Sequence, residues 1–218
     1  MPVTFGSSGN RNVIGITLGL SGNRNITEGW VGTGAGNKKF FQSFNGAEFT
    51  YPNPEDGGGP GSITVPQGAR HLLIHGYGAG DRGQDAQNED SVWFPGIGGH
   101  GGDYATRSLS LVEADEGQTI TYELAVSGFT ATRATCAPLS IALVVGAGGS
   151  SGWDTRTSGD PGVTPAHSEG GTGGAGGDPA EGGPIAPAPG HGGMGADGYE
   201  DMDGGFGGDG AIVFIFTP

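Results

Sequence analysis

The sequence predicts an all-β protein: a small N-terminal β-repeat module followed by a glycine-rich β-sandwich with long extended, polyproline-II-like loops. Three observations carry this. Short apolar runs alternate with polar residues at a period of two, no segment shows a helical stripe, and the 50 glycines are gathered into particular stretches.

The first 41 residues hold a degenerate repeat. Its copies read Phe5-Gly-Ser-Ser-Gly-Asn-Arg-Asn-Val13, Leu18-Gly-Leu-Ser-Gly-Asn-Arg-Asn-Ile26 and Val31-Gly-Thr-Gly-Ala-Gly-Asn-Lys-Lys-Phe40. Gly-Asn supplies residues tolerant of the positive φ of a tight turn, and the flanking apolar residues supply strand character. Three short hairpins or a β-meander are expected. So short a unit cannot bury a hydrophobic face alone, so it should pack on neighbouring copies. Phe44, Phe49 and Tyr51 finish this module, residues 1–50, and a breaker-rich linker of Pro, Gly, Asn and Asp occupies 51–61.

Residues 62–218 form the second domain. Strands are expected at Ser62–Val65, Arg70–Tyr77, Asp103–Val112, Thr119–Val126, Ser140–Val145 and Ala211–Phe216. The alternation of Ile120, Tyr122, Leu124 and Val126 is the cleanest of these, and Glu113–Gly117 reads as a turn. Between Val145 and Ala211, glycine supplies 24 of 65 residues. So long a loop without structure is unusual inside a compact domain. Extended glycine segments escape that problem, because without Cβ they approach closely and hydrogen-bond to one another; proline tolerates the same conformation.

Charge excludes several partners. Residues 45–218 carry 22 acidic and five basic side chains within a formal net charge of −14, so nucleic acid and anionic membranes are poor partners. No run approaches the roughly 20 apolar residues of a membrane helix, so no membrane insertion is expected. Met1–Gly9 has neither a basic start nor an apolar stretch, so no secretory leader is expected. Cys136 stands alone, which points to synthesis in a reducing cytoplasm.

The order of these motifs resembles a known family. Ile63-Thr-Val-Pro-Gln-Gly68 opens the series, and Leu72-Leu-Ile-His-Gly-Tyr-Gly78 follows. Next come Gly98-Gly-His-Gly-Gly-Asp-Tyr-Ala105, Asp115-Glu-Gly-Gln-Thr-Ile-Thr-Tyr122 and Val144-Val-Gly-Ala-Gly-Gly149. The close is Gly204-Gly-Phe-Gly-Gly-Asp-Gly-Ala-Ile-Val-Phe-Ile-Phe216. Residues 62–218 thereby resemble the glycine-rich β-domain at the ends of many bacteriophage tail-fibre and spike proteins, with fewer unbroken glycine runs and more acidic residues and proline. The resemblance implies a non-enzymatic virion protein, made in the host cytoplasm. Its N-terminal module would dock on other tail or virion proteins, and its glycine-rich end would meet a host surface glycan or outer-membrane protein. It also implies a homo-oligomer, with a trimer favoured. A purely structural connector or decoration protein and a carbohydrate-degrading spike are the alternative readings.

Among candidate sites, the loop aromatics Trp93, Phe94, Trp153 and Tyr199 stand first, since large apolar side chains in small polar loops are costly to expose without purpose. His100 and His191, each in Gly-His-Gly-Gly, are further contact candidates. Phe206, beside the last strand, is expected to pin glycine segments to the sheet or to a neighbouring subunit. His71 and His75 fall on one strand face as half-buried structural residues. Asp103, Asp178 and Asp209 each close a Gly-Gly-x-Gly-x-Asp match to a calcium-binding nonapeptide, but that motif works in tandem and these copies are far apart, so turn chemistry is expected instead. No metal or cofactor is expected. Glu113, Asp115 and Glu116 lie together in a turn, and no catalytic constellation accompanies them.

Overall fold

The computed structural model describes residues 28–33, 36–42, 46–51, 60–126, 131–147, 149–169, 171–197 and 203–218. The first two repeat copies, most of the linker, and Tyr199 lie outside the described residues. The fold is all-β, and its strands pair antiparallel throughout the described ladders. The chain divides into two units, Met1–Ser43 and Phe44–Pro218.

In the first unit, the third repeat copy supplies an antiparallel pair, β1 (Glu28–Thr33) and β2 (Gly36–Gln42), with an irregularity in register between Gly29 and Trp30. The second unit begins with β3 (Ala47–Tyr51), β4 (Gly61–Thr64) and β5 (His71–Tyr77). A short hairpin, β6 (Gln87–Glu89) and β7 (Val92–Phe94), follows, then β8 (Tyr104–Ser110) and β9 (Thr119–Glu123). The remaining strands are β10 (Thr132–Cys136), β11 (Ile141–Val145), β12 (Ser150–Ser151), β13 (Thr155–Thr157) and β14 (Ala211–Thr217).

One sheet has the order β13-β8-β5-β14-β3 and a second the order β12-β11-β10-β9-β4. Alternation explains how they meet. Leu72 and Ile74 on β5, and Ile212, Phe214 and Phe216 on β14, point one way; Ile120 and Tyr122 on β9, and Ile141 and Leu143 on β11, point to meet them in one buried cluster. Leu72, Ile74, Ile120, Ile212, Phe214 and Phe216 are wholly buried, each worth about 1.5–3 kcal/mol relative to exposure.

Several expectations need correction. Ala47–Tyr51 pairs with Ile212–Phe216 of β14, so residues 44–50 belong with the second unit rather than with the N-terminal module. The pairing satisfies an edge of the apolar β14 that would otherwise lie open. The clean alternation after Thr119 stops at Leu124: Val126 is exposed, and the strand ends at Glu123. His71 is exposed while His75 is 8% exposed, because only the latter lies under other residues. Strand β10 has no strong sequence signal, since its inward residues Thr132, Ala134 and Cys136 are small. Thr132 nevertheless ties the sheets: its Oγ1 donates to the Tyr77 carbonyl at 2.8 Å and accepts from the Ala125 amide at 3.2 Å. The turn at 113–117 contains a single 3-10 turn, Glu113–Asp115, and Gly117 takes φ +80°.

Candidate binding surface

Glycine segments leave one end of the sheets and hydrogen-bond to one another at a step of three residues. The amides of Gly96, Gly99 and Gly102 donate to the carbonyls of Ala196, Gly193 and Gly190. Those of Gly174, Gly177 and Ala180 donate to Gly96, Gly99 and Gly102. Asp81 and Gln84 donate to His100 and Ile97, and Gly98 and Gly101 to Val163 and Asp160. Gly80 and Gly83 donate to Gly208 and Gly205, while Gly205 and Gly208 donate to Met194 and His191. Segments 78–85, 95–103, 158–165, 171–180, 190–197 and 203–210 are thus joined side by side, giving buried amides and carbonyls the partners they require.

Close approach explains the glycines. A Cβ placed on Gly99 would overlap the Asp81 carbonyl, and one on Gly192 the Gly99 carbonyl. The residues between the glycines are the ones that face out. His191, Met194 and Asp197 are exposed while Gly192, Gly193, Gly195 and Ala196 are buried; Thr172, Ala175 and Asp178 repeat the pattern. The same step of three places Asp203, Phe206 and Asp209 outside. This spacing accounts for the calcium-like matches, since x-Gly-Gly repeats generate Gly-Gly-x-Gly-x-Asp wherever an outward residue is Asp.

The three matching aspartates therefore differ. Asp178 and Asp209 are exposed, whereas Asp103 is 2% exposed and fully engaged. Its Oδ2 meets Arg156 Nε at 2.9 Å and accepts from Ser150 Oγ at 3.0 Å, and its Oδ1 accepts from the Gly159 amide at 3.3 Å. Among the described residues, no group of three or more His, Cys, Asp or Glu side chains is placed to hold a metal ion. On the 78–85 segment, burial pushes the Asp81 carboxyl above its ordinary value, against the pull of nearby His100.

The far end of the array, where Gln84, Gly96, Gly174 and Ala196 meet, carries the β6–β7 hairpin and the loop containing His167. Its turn residues Asp90 and Ser91 both take positive φ, 51° and 69°, and the Ser91 amide donates to Asn88 Oδ1 at 3.2 Å. Gln87 pairs with Phe94, Asn88 with Trp93 and Glu89 with Val92, so Phe94 and Glu89 share one hairpin face and Trp93 and Asn88 the other. The first face is held: the His167 ring stacks on Phe94 with centroids 3.8 Å apart and planes 8° apart, and its Nε2 lies 3.9 Å from Glu89 Oε2. On the second face Trp93 is half-buried, and its indole N–H has no acceptor among the described residues.

Trp153 is placed otherwise. Its Nε1 donates to the Val144 carbonyl at 2.8 Å, and its ring packs on the core. The structure thus separates two residues that sequence treats alike. His100 and His191 are exposed on the flanks of the array, not at its end with Trp93 and Phe94. Phe206 does not pin the glycine segments to the sheet: it is 69% exposed, with the Arg82 guanidinium 5.6 Å above its ring. Arg82 in turn bonds Asp85 at 2.9 Å and Asp203 at 3.5 Å. Neither His167, Glu89, Asn88 nor Arg82 carries a distinctive motif; only their position in breaker-rich loops sets them apart.

Behind the array, His75 Nδ1 lies 2.7 Å from Tyr104 Oη, and Tyr77 Oη donates to the Gly182 carbonyl at 2.9 Å. Burial raises both tyrosines above their ordinary range and lowers His75. The turn carboxylates are engaged in structure. Asp115 accepts from the Val112 amide at 2.8 Å, and Glu116 accepts from the Gly68 amide at 3.0 Å and from Arg70 at 2.8 Å. No family model matches the chain, and a search of curated proteins finds no match either.

Proposed function

We propose that this chain is a distal tail-fibre, tail-tip or spike component of a tailed phage or phage-like particle, and that its glycine-rich end contacts the host cell surface. One observation carries the reading: the second unit is polar. Strand β3 starts at Ala47, opposite Phe216 and so at the end of the sheet away from Gly78, from which the glycine array departs. A chain that arrives at one pole and presents aromatic loops at the other suits a protein held by its N-terminal module and reaching outward.

In this reading the two sheets make a β-sandwich, and the six segments run as polyproline-II-like rods. The three-residue step of their hydrogen bonds matches the three residues per turn of that helix. The neighbours in the hydrogen-bond pattern suit two rows of three rods, which would make the array a stiff spacer. Stiffness matters because a contact loop on a rigid support loses less conformational entropy on binding. The N-terminal repeats would dock on other virion proteins and assemble the chain into a homo-oligomer.

The test is adsorption. Particles carrying Trp93→Ala with Phe94→Ala are expected to adsorb to host cells more slowly than wild type, while particles carrying Met194→Ala, on the array's flank, adsorb normally. Unchanged adsorption of the double variant removes the hairpin from the contact surface. A light-scattering mass of a single chain removes the oligomer.

A further inference from the structure

Residues 181–189, which connect two of the glycine segments, lie as a strap on the outer face of the β13-β8-β5-β14-β3 sheet. Among the described residues, no backbone–backbone hydrogen bond ties this strap to the sheet; two tyrosines hold it instead. Tyr77 Oη donates to the Gly182 carbonyl at 2.9 Å and accepts from the Ile185 amide at 3.2 Å. Gly182 and Gly183 lie so close to the Tyr104 ring that a Cβ on either would overlap it, and one on Gly183 would also meet Tyr77 Oη. Ile185 and Ala188 pack on the cluster of Tyr77, Ala211 and Val213.

His75 belongs to the same layer. It stands opposite Val213 in the β5–β14 ladder, is 8% exposed, and has Nδ1 2.7 Å from Tyr104 Oη. The ionisable groups around it are few. Strand β8 contributes Tyr104, β5 itself Tyr77, and β3 contributes Glu48, whose charge favours the imidazolium. Strand β14 contributes the neutral Val213, and residues 182–189 carry no charged side chain. Burial outweighs Glu48, so the closed form holds a proton less readily than a solvated imidazole does. Any form that admits water to His75 therefore gains on acidification. Strand β5 is held by ladders on both sides, whereas the strap's hydrogen bonds to the sheet come from one phenol. Lifting the strap is the least costly such opening.

We infer that residues 181–189 form an acid-released strap: proton uptake by His75 frees it from Tyr77 and Tyr104 and uncovers the apolar Tyr77–Ala211–Val213 face. The proton comes from solvent, and only hydrogen bonds break. The charged ring donates at both nitrogens, so Tyr104 Oη can then only accept from Nδ1. The strap opens between two fixed ends, because Ala180 and Gly190 are both bonded to Gly102.

The test is the protection of the Ile185 amide against hydrogen exchange, read by NMR on the full chain between about pH 7.5 and 5, with the amides of β5 as reference. Below 6.5, the ordinary imidazole value, Ile185 protection is expected to fall about tenfold per pH unit until the closed form is protonated too, while β5 stays protected. His75→Gln should remove the fall. Glu48→Gln makes the closed imidazole a still poorer proton acceptor and should extend the fall to lower pH; as an exposed position it also serves if His75→Gln does not fold. His100→Gln with His191→Gln, both exposed, should change nothing. Constant Ile185 protection across the range, an equal fall in His75→Gln, an unchanged range in Glu48→Gln, a fall shared by β5, or loss of the fall in the exposed-histidine variant would each overturn the inference.

Discussion

Trp153 closes over Gly76. A Cβ on Gly76 would overlap the far edge of the indole ring, while Nε1 of the same ring donates to Val144 on the opposite sheet. One side chain therefore bridges both sheets at the end from which the glycine array leaves. Trp153→Ala should lower stability by about 3 kcal/mol, and Gly76→Ala by about 1–3 kcal/mol through overpacking. Trp93→Ala should cost well under either. Urea unfolding of the three variants measures the contrast, and equal losses for the two tryptophans would contradict it.

The inward glycines and the outward residues of the array should respond in opposite ways. Gly192→Ala forces a methyl group into the Gly99 carbonyl, so it should disrupt the local hydrogen bonds and speed amide exchange across residues 190–197 and 95–103. Ala175→Ser or Met194→Ala, at exposed positions, should leave exchange unchanged. Exchange measured by mass spectrometry on the intact chain distinguishes the two outcomes.

Asp103 joins three chain segments, through Arg156, Ser150 and Gly159. Asp103→Ala leaves two hydrogen-bond donors without their acceptor, and the partly exposed Arg156 recovers some solvation. A loss of about 2 kcal/mol is expected. Asp178→Ala and Asp209→Ala, at exposed positions, should lie within about 0.5 kcal/mol of wild type. Thermal melts of the three variants suffice, and added calcium should shift none of them.

Acid should weaken the fold in two steps. Burial lowers His75 below its ordinary 6.5 against the opposing pull of Glu48, so the unfolded chain binds the proton more readily. Stability is therefore full above that value and falls as pH drops below it. Glu116 is held below its ordinary 4.5 by Arg70, so its contribution persists to lower pH and is lost as pH falls through its folded value. His75→Gln should flatten the first step and Arg70→Gln the second. Urea midpoints recorded across this pH range report both, and a midpoint rising on acidification between the two ordinary values would contradict the first.

Much of the strand framework is legible locally. Leu72 and Ile74, or Ile120 and Tyr122, declare an inward face by period alone, because a strand turns alternate side chains to opposite sides. Strand β10 is not legible, since Thr132, Ala134 and Cys136 are small enough to fit a core without looking apolar as a run. The β6–β7 hairpin escapes notice too, because Asp90-Ser91 is not a turn sequence that propensity favours. At the array, the readable signal was the spacing of the residues between glycines: His191, Met194 and Asp197, or Asp203, Phe206 and Asp209. A step of three leaves one residue in three outside.

By itself the sequence determined the all-β class, the positions of the main strands and the concentration of glycine into stretches able to lie close together. Those properties follow from neighbouring residues along the chain. Only the tertiary structure decided that Trp153 bridges sheets while Trp93 lies half-buried on the β6–β7 hairpin, that Asp103 is buried beside Arg156 while Asp178 and Asp209 face out, and that Ala47–Tyr51 joins β14. Identical local motifs acquire different roles there because their partners are dozens of residues away, and burial or charge pairing depends on what a side chain meets rather than on what precedes it.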